Sequence, residues 1–454
     1  MKKNDFLDEF AARLGALAMH KDSDFHIALS GGLDSVVLLH LFARLREITP
    51  ALSIQAHHIN HGLSRNAQHW SEFCAALCAD LQINFSCSSV DLHKKNRISI
   101  EALAREKRYF CLQQGFSAHS YLVTAHHQDD QLETVLLALK RGSGNTGLQG
   151  VRHKQTLNRG YLIRPLLNYS RAQLEDYAGY FKLHWIEDES NQDQAFDRNF
   201  IRHSITPLLK QRWPAIAKSV ARSATICQEQ QQVLDELAAQ DFSAAAFCFL
   251  NQQALSCAAL QQLSCGRRNN VLRFWFKENA LDYPSSVQLK TLWTDIVLAN
   301  NDALPVMRFK DHSLRRYRNH LYLLADKKII GHSAQPIVWQ GEPTVSLLAG
   351  RIKLAFNYGQ AADDVGDMLS CNAHSQIKIC FREHLPAQLT CKPQGRNGSR
   401  SIKKLLHEYH VPPWLRDVVP FILINGELRA ALGLWSCQPS ADKDHNRHLS
   451  ISFI

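Results

Sequence analysis

The sequence predicts an α/β protein: a parallel, doubly wound sheet, then a helical region, then a small α+β region. Three observations predict it. Up to about Leu209, short apolar runs rich in β-branched residues alternate with helical stretches. That is the pattern of βαβ units and a mostly parallel sheet with helices on both faces. A long helical pattern then departs from this alternation at Trp213, and from about Ile337 the chain changes to short strands such as TVSLLAG, RIKLAF and SQIKICF.

In chain order, MKKNDFLDEFAARLGAL places Phe6, Phe10, Leu14 and Leu17 at helical spacing among Asp5, Asp8 and Glu9. This is an amphipathic helix, without the uninterrupted apolar core of a signal peptide. HIALS, SIQAHHI, INFSCSSV and YLVTAHH read as strands; DSVVLLHLFARL, AQHWSEFCAALCADL and ISIEALAREKRYFCLQQ read as the helices between them. PAIAKSVARSATICQEQQQVLDELAAQ is the long helix, and GRRNNVLRFWFKENAL and SSVQLKTLWTDIVLAN continue the helical region. That region closes on SLRRYRNHLYLL, a strand pair with a basic turn, and Gly331–Pro336 reads as a linker. The expected domains are 1–212, 213–330 and 336–454, in line with a length prior of about three.

Apolar content of 45% and charged content of 21% describe a soluble globular protein. No run of about eighteen apolar residues suggests a membrane span. The twelve cysteines include no C-x-x-C, which argues against a zinc ribbon, a thioredoxin-type site or an iron–sulfur cradle. Reduced thiols in a cytoplasmic protein are the plain expectation. A net charge of +10 and a pI near 9.0 favour a polyanionic partner such as nucleic acid, although many basic proteins bind none.

The stretch FHIALSGGLDSVVLLHLF sets Ser30, Gly31, Gly32, Leu33, Asp34 and Ser35 between a strand and a helix. Paired glycines let a backbone approach a ligand closely, and successive N–H groups at a helix start cradle an anion. Ser30 and Ser35 add hydroxyls. Asp34 in a phosphate site calls for a cation, Mg²⁺ bridging carboxylate and phosphates. A glycine turn with a capping Asp or Ser is the plain alternative; the whole hexapeptide in this setting favours the cradle. GSGNTG at Gly142–Gly147 satisfies G-x-G-x-x-G but follows a helical run, so it fails as a dinucleotide fingerprint. Its expected role is a helix end leading into a loop near the site.

TAHHQDDQLETVLLALKRGSG crowds Asp129, Asp130 and Glu133 into the start of a helix beside His126 and His127. Asp130 and Glu133 share one face, and an amino-terminal Asp is a good cap. Capping explains one carboxylate rather than three. A zinc site lacks a thiol partner or an H-E-x-x-H spacing.

SGGLDS resembles the pyrophosphatase loop of N-type ATP pyrophosphatases, the PP-loop family, whose sheet belongs to the adenine nucleotide alpha hydrolase-like (HUP) class. Together with HHQDDQLET and DESNQDQAFDRNFIRHSITPLL, it resembles the tRNA(Ile)-lysidine synthetases. The third motif appears here as Asp188, Asn191, Arg198, Asn199, Arg202, Pro207 and Leu208. EALAREKRY, with Glu101, Arg105, Arg108 and Tyr109, resembles the family's helix before the site. CKPQGRNGSRSIKKLLHEYHVPPWLRDVVPFILINGEL resembles its last domain.

The resemblance implies a ligase that attaches free L-lysine to C2 of the wobble cytidine in CAU-anticodon tRNA(Ile). An O2-adenylated intermediate forms, AMP and pyrophosphate are released, and reading changes from AUG to AUA. ATP and Mg²⁺ are the implied cofactors, with Asp34 and Asp130 as metal ligands. Asp130 is expected to hold metal or lysine, and Glu133 a lysine ammonium. Arg105 and Arg198 are candidates for the α-phosphate or the lysine carboxylate. Arg202, the cluster Arg315, Arg316 and Arg318, and the tract Lys392, Arg396, Arg400, Lys403 and Lys404 are candidates for tRNA, with Arg267-Arg268 a further pair. A solvated charged face explains any one of these equally well. Trp414 suits a base stack or a core position. A homodimer through the long helix is an arrangement the sequence allows. The rivals are a tRNA 2-thiocytidine synthetase, which brings C-x-x-C pairs, and a non-catalytic tRNA-binding protein.

Overall fold

The computed structural model describes residues 3–17, 23–60, 62, 64–90, 107–300, 303–326, 335–348, 352–358, 367–372, 375–437 and 447–453. The chain divides into two compact units, Met1–Val233 and Leu234–Ile454.

The first unit is a six-stranded sheet flanked by helices. Its elements are α1 (Lys3–Ala16), β1 (Asp24–Ala28), α2 (Leu33–Ile48), β2 (Ser53–Asn60), α3 (Ala67–Asp80), β3 (Asn84–Ser89), α4 (107–112), β4 (Ser120–Val123), α5 (Gln128–Lys140), α6 (Asn145–Leu148), β5 (Lys154–Thr156), β6 (Tyr161–Ile163), α7 (Arg171–Tyr180), α8 (Asp197–Phe200), α9 (Thr206–Arg212) and the first part of α10 (Ile216–Ala245), whose last residues belong to the second unit. A π-helical turn, Ile201–Ile205, joins α8 to α9. The strand order is β3-β2-β1-β4-β6-β5. Every pairing is parallel except β5 with β6. β1 therefore lies between β2 and β4, and the chain changes direction across the sheet there. A ligand crevice belongs at that switch point, beyond the carboxyl ends of β1 and β4.

The core explains why β1 and α2 read so plainly. Phe25 and Ile27 of β1 and Val37, Leu38, Leu41 and Phe42 of α2 are fully buried. The amphipathic stripe expected of α1 buries Phe6, Phe10 and Leu14 in the same cluster. Of the helix expected between β3 and β4, only the part from residue 107 onward is described, so Glu101 and Arg105 lie outside the described residues.

The second unit is less helical than the sequence implied. α11 (Cys257–Gln262), α12 (Cys265–Glu278) and α13 (Ser286–Thr291) pack with a five-stranded antiparallel sheet. Its strands are β7 (Ala246–Phe249), β8 (Gln252–Ser256), β9 (Val306–Phe309), β10 (His312–Tyr317) and β11 (His320–Ala325), in the order β7-β8-β11-β10-β9. Only the β10–β11 pair was legible beforehand, because strands of four or five residues give no clear period. Further on, a five-stranded and a four-stranded antiparallel sheet share a core of Leu354, Phe356, Ile379, Ile422 and Ile451. The expected linker falls largely outside the described residues. One expectation is corrected outright: Cys391 and Cys437 form a disulfide, their Cα atoms 6.2 Å apart. A bridge from Pro393 to Cys437 brings these two chain segments together. The other ten cysteines form no disulfide.

Candidate active site

The glycine loop leaves β1 at the switch point. Gly31 has φ +86°, and a Cβ there would meet Cys74 Sγ and Ile186 Cδ1, each at 3.2 Å, so only glycine fits without strain. Its carbonyl accepts from Ile186 N at 2.9 Å. Gly32 caps α2, and the first N–H groups of that helix have no intrahelical partner. Ser35 Oγ donates to Gly32 O at 2.9 Å and lies 3.0 Å from Ser30 Oγ. These bonds hold the loop open as a nest of amides at the positive end of a helix.

The loop after β4 leads into α5 a crevice away. Its cap is His127 rather than an aspartate. His127 Nδ1 accepts from Asp129 N at 3.2 Å, and Asp130 Oδ2 accepts from His127 N at 2.9 Å, a reciprocal capping box. His127 is 2% exposed, and its Nε2 lies 3.5 Å from Asp34 Oδ2 and 3.6 Å from Asp130 Oδ2. One imidazole thus joins the glycine loop to the acidic helix. Burial disfavours its charge, but Asp130, Asp34 and Asp129 outweigh this and lift its pKa to about 8. The bond from Asp129 N needs an unprotonated Nδ1, so whenever the ring is neutral its proton sits on Nε2, toward Asp34 and Asp130.

Asp130 and Glu133 share a face, as expected, and that face meets two arginines. Arg198 Nε donates to Glu133 Oε2 at 2.7 Å and Arg198 Nη2 to Asp130 Oδ1 at 2.8 Å. Arg202 Nε donates to Glu133 Oε1 at 2.7 Å. Burial would raise the Asp130 pKa, but His127, His126 and Arg198 hold it well below the usual carboxylate range. The π-helical turn after α8 belongs to the same segment as the two arginines; such turns recur at functional sites. Two further cations complete the cluster. Lys210 Nζ lies 2.5 Å from Asp129 Oδ2, and Arg171 Nη1 lies 3.4 Å from Asp34 Oδ2. Neither was singled out from the sequence. Arg171 merely opens α7 after the Ser170 cap, and Lys210 sits in PLLKQRWP, with no local signal of either partner.

Two carboxylate oxygens stand apart. Asp34 Oδ1 and Asp129 Oδ1 are buried without a hydrogen-bond partner. Both oxygens of Asp130 are engaged. Among the described residues no group of three or more His, Cys, Asp or Glu could hold a metal by protein ligands alone. The two unpartnered carboxylate oxygens are hard donors of the kind Mg²⁺ takes, one or two at a time, beside waters and phosphate.

GSGNTG does end a helix, yet it runs into α6 rather than a loop, where Asn145 Nδ2 donates to Cys227 O at 3.2 Å. Burial pushes the Cys74 and Cys78 thiols up to about 12, leaving them inert.

The chain is 41% identical to the tRNA(Ile)-lysidine synthase of Photobacterium profundum over 411 residues, covering 90% of this chain and 92% of that one. It belongs to the tRNA(Ile)-lysidine synthase family. The Serratia proteamaculans enzyme is 40% identical, covering 96% of this chain and 95% of that one. The family profile described as PP-loop domain matches residues 6–209, the TilS substrate binding domain 255–322, and the TilS substrate C-terminal domain 377–453. A solved structure, the U34-tRNA thiolase NcsA from Methanococcus maripaludis with its [4Fe-4S] cluster, covers 50% of this chain and 78% of its own at 17% identity and a TM-score of 0.43, a likeness too slight to bear on function.

Within this lysidine synthase-family chain the basic candidates separate by environment. Lys392, Arg396, Arg400, Lys403 and Lys404 are all exposed, although Arg396 pairs with Glu408 and Arg400 Nε lies 4.0 Å from it. Arg318 is exposed on the β10–β11 turn with φ 53°. Arg316 is buried at 6% exposure; its Nε donates to Arg318 O at 2.7 Å and its Nη1 to Ala299 O. Its place is structural. Arg315 lies over Trp414 at 5.5 Å, Arg267 is tied to Asp241, and Arg268 lies 3.6 Å over Trp293. Trp414 is half-buried, edge-on to Tyr317 and Tyr322, in the core position weighed against stacking.

Proposed function

We propose that this chain joins L-lysine to C2 of the wobble cytidine of CAU-anticodon tRNA(Ile), converting ATP to AMP and pyrophosphate. The observation that carries the reading is the meeting of Asp34 and the Asp129–Glu133 helix at His127, directly in front of a glycine loop built to receive phosphates.

The chemistry follows from the groups present. The cytosine C2 carbonyl expels oxygen poorly, so O2 attacks the α-phosphate and pyrophosphate leaves. The ε-amine of lysine then adds at C2, the O2–phosphate leaves as AMP, and the amine proton passes to a base. The amides of Leu33, Asp34 and Ser35 and the hydroxyls of Ser30 and Ser35 receive the triphosphate, countering charge as it builds on the leaving group. Asp34 and Asp129, each with an unpartnered buried oxygen, would hold Mg²⁺, in place of the Asp34–Asp130 pair expected. When bound, that cation supplies further neutralisation of phosphate charge. Arg171, which sits beside Asp34, is placed to turn to the phosphates. Asp130 and Glu133 recognise the lysine ammonium by exchange of cations, since Arg198 and Arg202 occupy them beforehand. A carboxylate released in that exchange can take the amine proton. The exposed Lys392–Lys404 tract and Arg318 suit phosphate contacts that position RNA without reading sequence.

The test is incubation of the purified chain with CAU tRNA(Ile), ATP and labelled lysine, followed by mass analysis of the wobble base. Lysidine should form with AMP and pyrophosphate released. Asp34→Ala should abolish adenylation and leave tRNA affinity nearly intact. ADP as the by-product, or no lysine incorporation, overturns the reading.

A further inference from the structure

The segment that turns Arg198 and Arg202 toward the carboxylates carries two phenyl rings on its other face. Phe196 is 49% exposed and Phe200 46%. They lie four residues apart, with Phe200 N donating to Phe196 O at 3.0 Å, which sets the two residues one helical turn apart. Neither belongs to a buried apolar cluster. We infer that Phe196 and Phe200 form a stacking platform for the RNA bases flanking the nucleotide that enters the acid–arginine site. This rests on the RNA-modifying reading above.

Three observations favour that occupant. First, platform and site belong to one helical segment only about 10 Å across, so nucleotides flanking one held at the site come within reach of the rings. Second, the segment that carries the rings is braced before any ligand arrives. Ala195 N donates to Asp193 Oδ1 at 3.0 Å, Asn199 Nδ2 to Asp193 O at 2.9 Å, and Ser204 Oγ to Gln194 Oε1 at 3.1 Å; His203 Nε2 lies 2.8 Å from Asn191 O. A preformed aromatic surface loses little freedom on binding. Third, a cation stands beside it: Lys140, paired with Asp197 at 2.5 Å yet 58% exposed. Aromatic faces next to positive charge suit single-stranded RNA, whose bases stack while its phosphates pair. A second copy of the chain is a poorer fit. Two half-exposed rings offer roughly 200 Å², against about 800 Å² per partner in a stable interface.

The experiment uses the full chain and a CAU anticodon stem-loop with 2-aminopurine beside the target cytidine. Phe196→Leu and Phe200→Leu keep an apolar side chain and remove the π face; Phe196→Tyr and Phe200→Tyr restore it. Each leucine variant should bind the stem-loop about five- to hundred-fold more weakly and lose fluorescence quenching, with KM for ATP and lysine unchanged. The tyrosine variants should recover both. Leucine variants that bind and quench like the parent chain overturn the platform, as does a loss of affinity that tracks a change in oligomeric state by light scattering. The two readings fail separately. A parent chain that makes lysidine while its leucine variants are unaffected sinks the platform alone. A parent chain that binds and quenches but never makes lysidine sinks the enzymatic reading alone.

Discussion

Glu133→Gln is the sharpest test of the arginine clasp. Glu133 is 1% exposed, and each of its oxygens accepts from a guanidinium: Oε2 from Arg198 Nε at 2.7 Å, Oε1 from Arg202 Nε at 2.7 Å. Glutamine keeps the volume but removes the charge and turns an NH₂ group toward an arginine donor. Breaking a fully buried pair by altering one partner costs about 3–5 kcal/mol. Here the arginine side chains are 31% and 32% exposed, so water recovers part of that and about 2–3 kcal/mol is expected. For a unit of this size each kcal/mol moves the melting midpoint by about 2–4 °C, giving a drop of roughly 4–12 °C. Calorimetry of the parent and variant reads it directly. Arg198→Ala should cost less in the Glu133→Gln background than in the parent, by about 0.5–3 kcal/mol of coupling. A Glu133→Gln variant that melts within a degree of the parent refutes the claim that this clasp holds α5 to α8.

Three further outcomes are expected. Gly31→Ala should destabilise the loop by about 1–2 kcal/mol from its left-handed backbone alone; equilibrium dialysis should show ATP affinity falling with it while tRNA affinity persists. The melting midpoint of the first unit should peak near pH 6.5 and decline on either side. Burial holds His26, His57 and His58 below their ordinary 6.5, so their contribution is present above that pH and declines as pH falls below it. His127 is raised to about 8, so its contribution is complete below 6.5 and is lost as pH climbs through 8; His127→Gln should flatten that upper limb alone. Cys391 and Cys437 are 46 residues apart, and closing such a loop stabilises by about 4 kcal/mol at most. Dithiothreitol should lower the melting of the second unit by several degrees, and alkylation mass spectrometry should then count two more thiols.

The parts of the site legible beforehand were those whose signal is local. Ser30–Ser35 announced itself because a loop that must admit a backbone-bound anion needs glycines within a strand–helix junction, and both neighbours are strongly apolar. Asp129, Asp130 and Glu133 stood out because three carboxylates in one turn exceed what capping requires. Arg198 was found only through resemblance. Its reach to Asp130 spans a sequence separation of 68, which no periodicity encodes. Lys210 and Arg171 lie 81 and 137 residues from their partners and escaped for that reason. The five-stranded sheet of the second unit was missed because β7, β8 and β9 are four or five residues long, too short for alternation to be read. The basic clusters misled differently. Arg316 is as cationic as Arg318, and only the fold reveals that one faces a carbonyl and the other faces water.

The contact between Gly31 and Ile186 has a bearing on biosynthesis. The hexapeptide is translated early, but Ile186, which packs on Gly31, arrives about 150 residues later, and Arg198, Arg202 and Lys210 later still. At ordinary elongation rates of about 5–20 residues per second, the nascent polypeptide waits roughly ten to forty seconds before its nucleotide pocket can close.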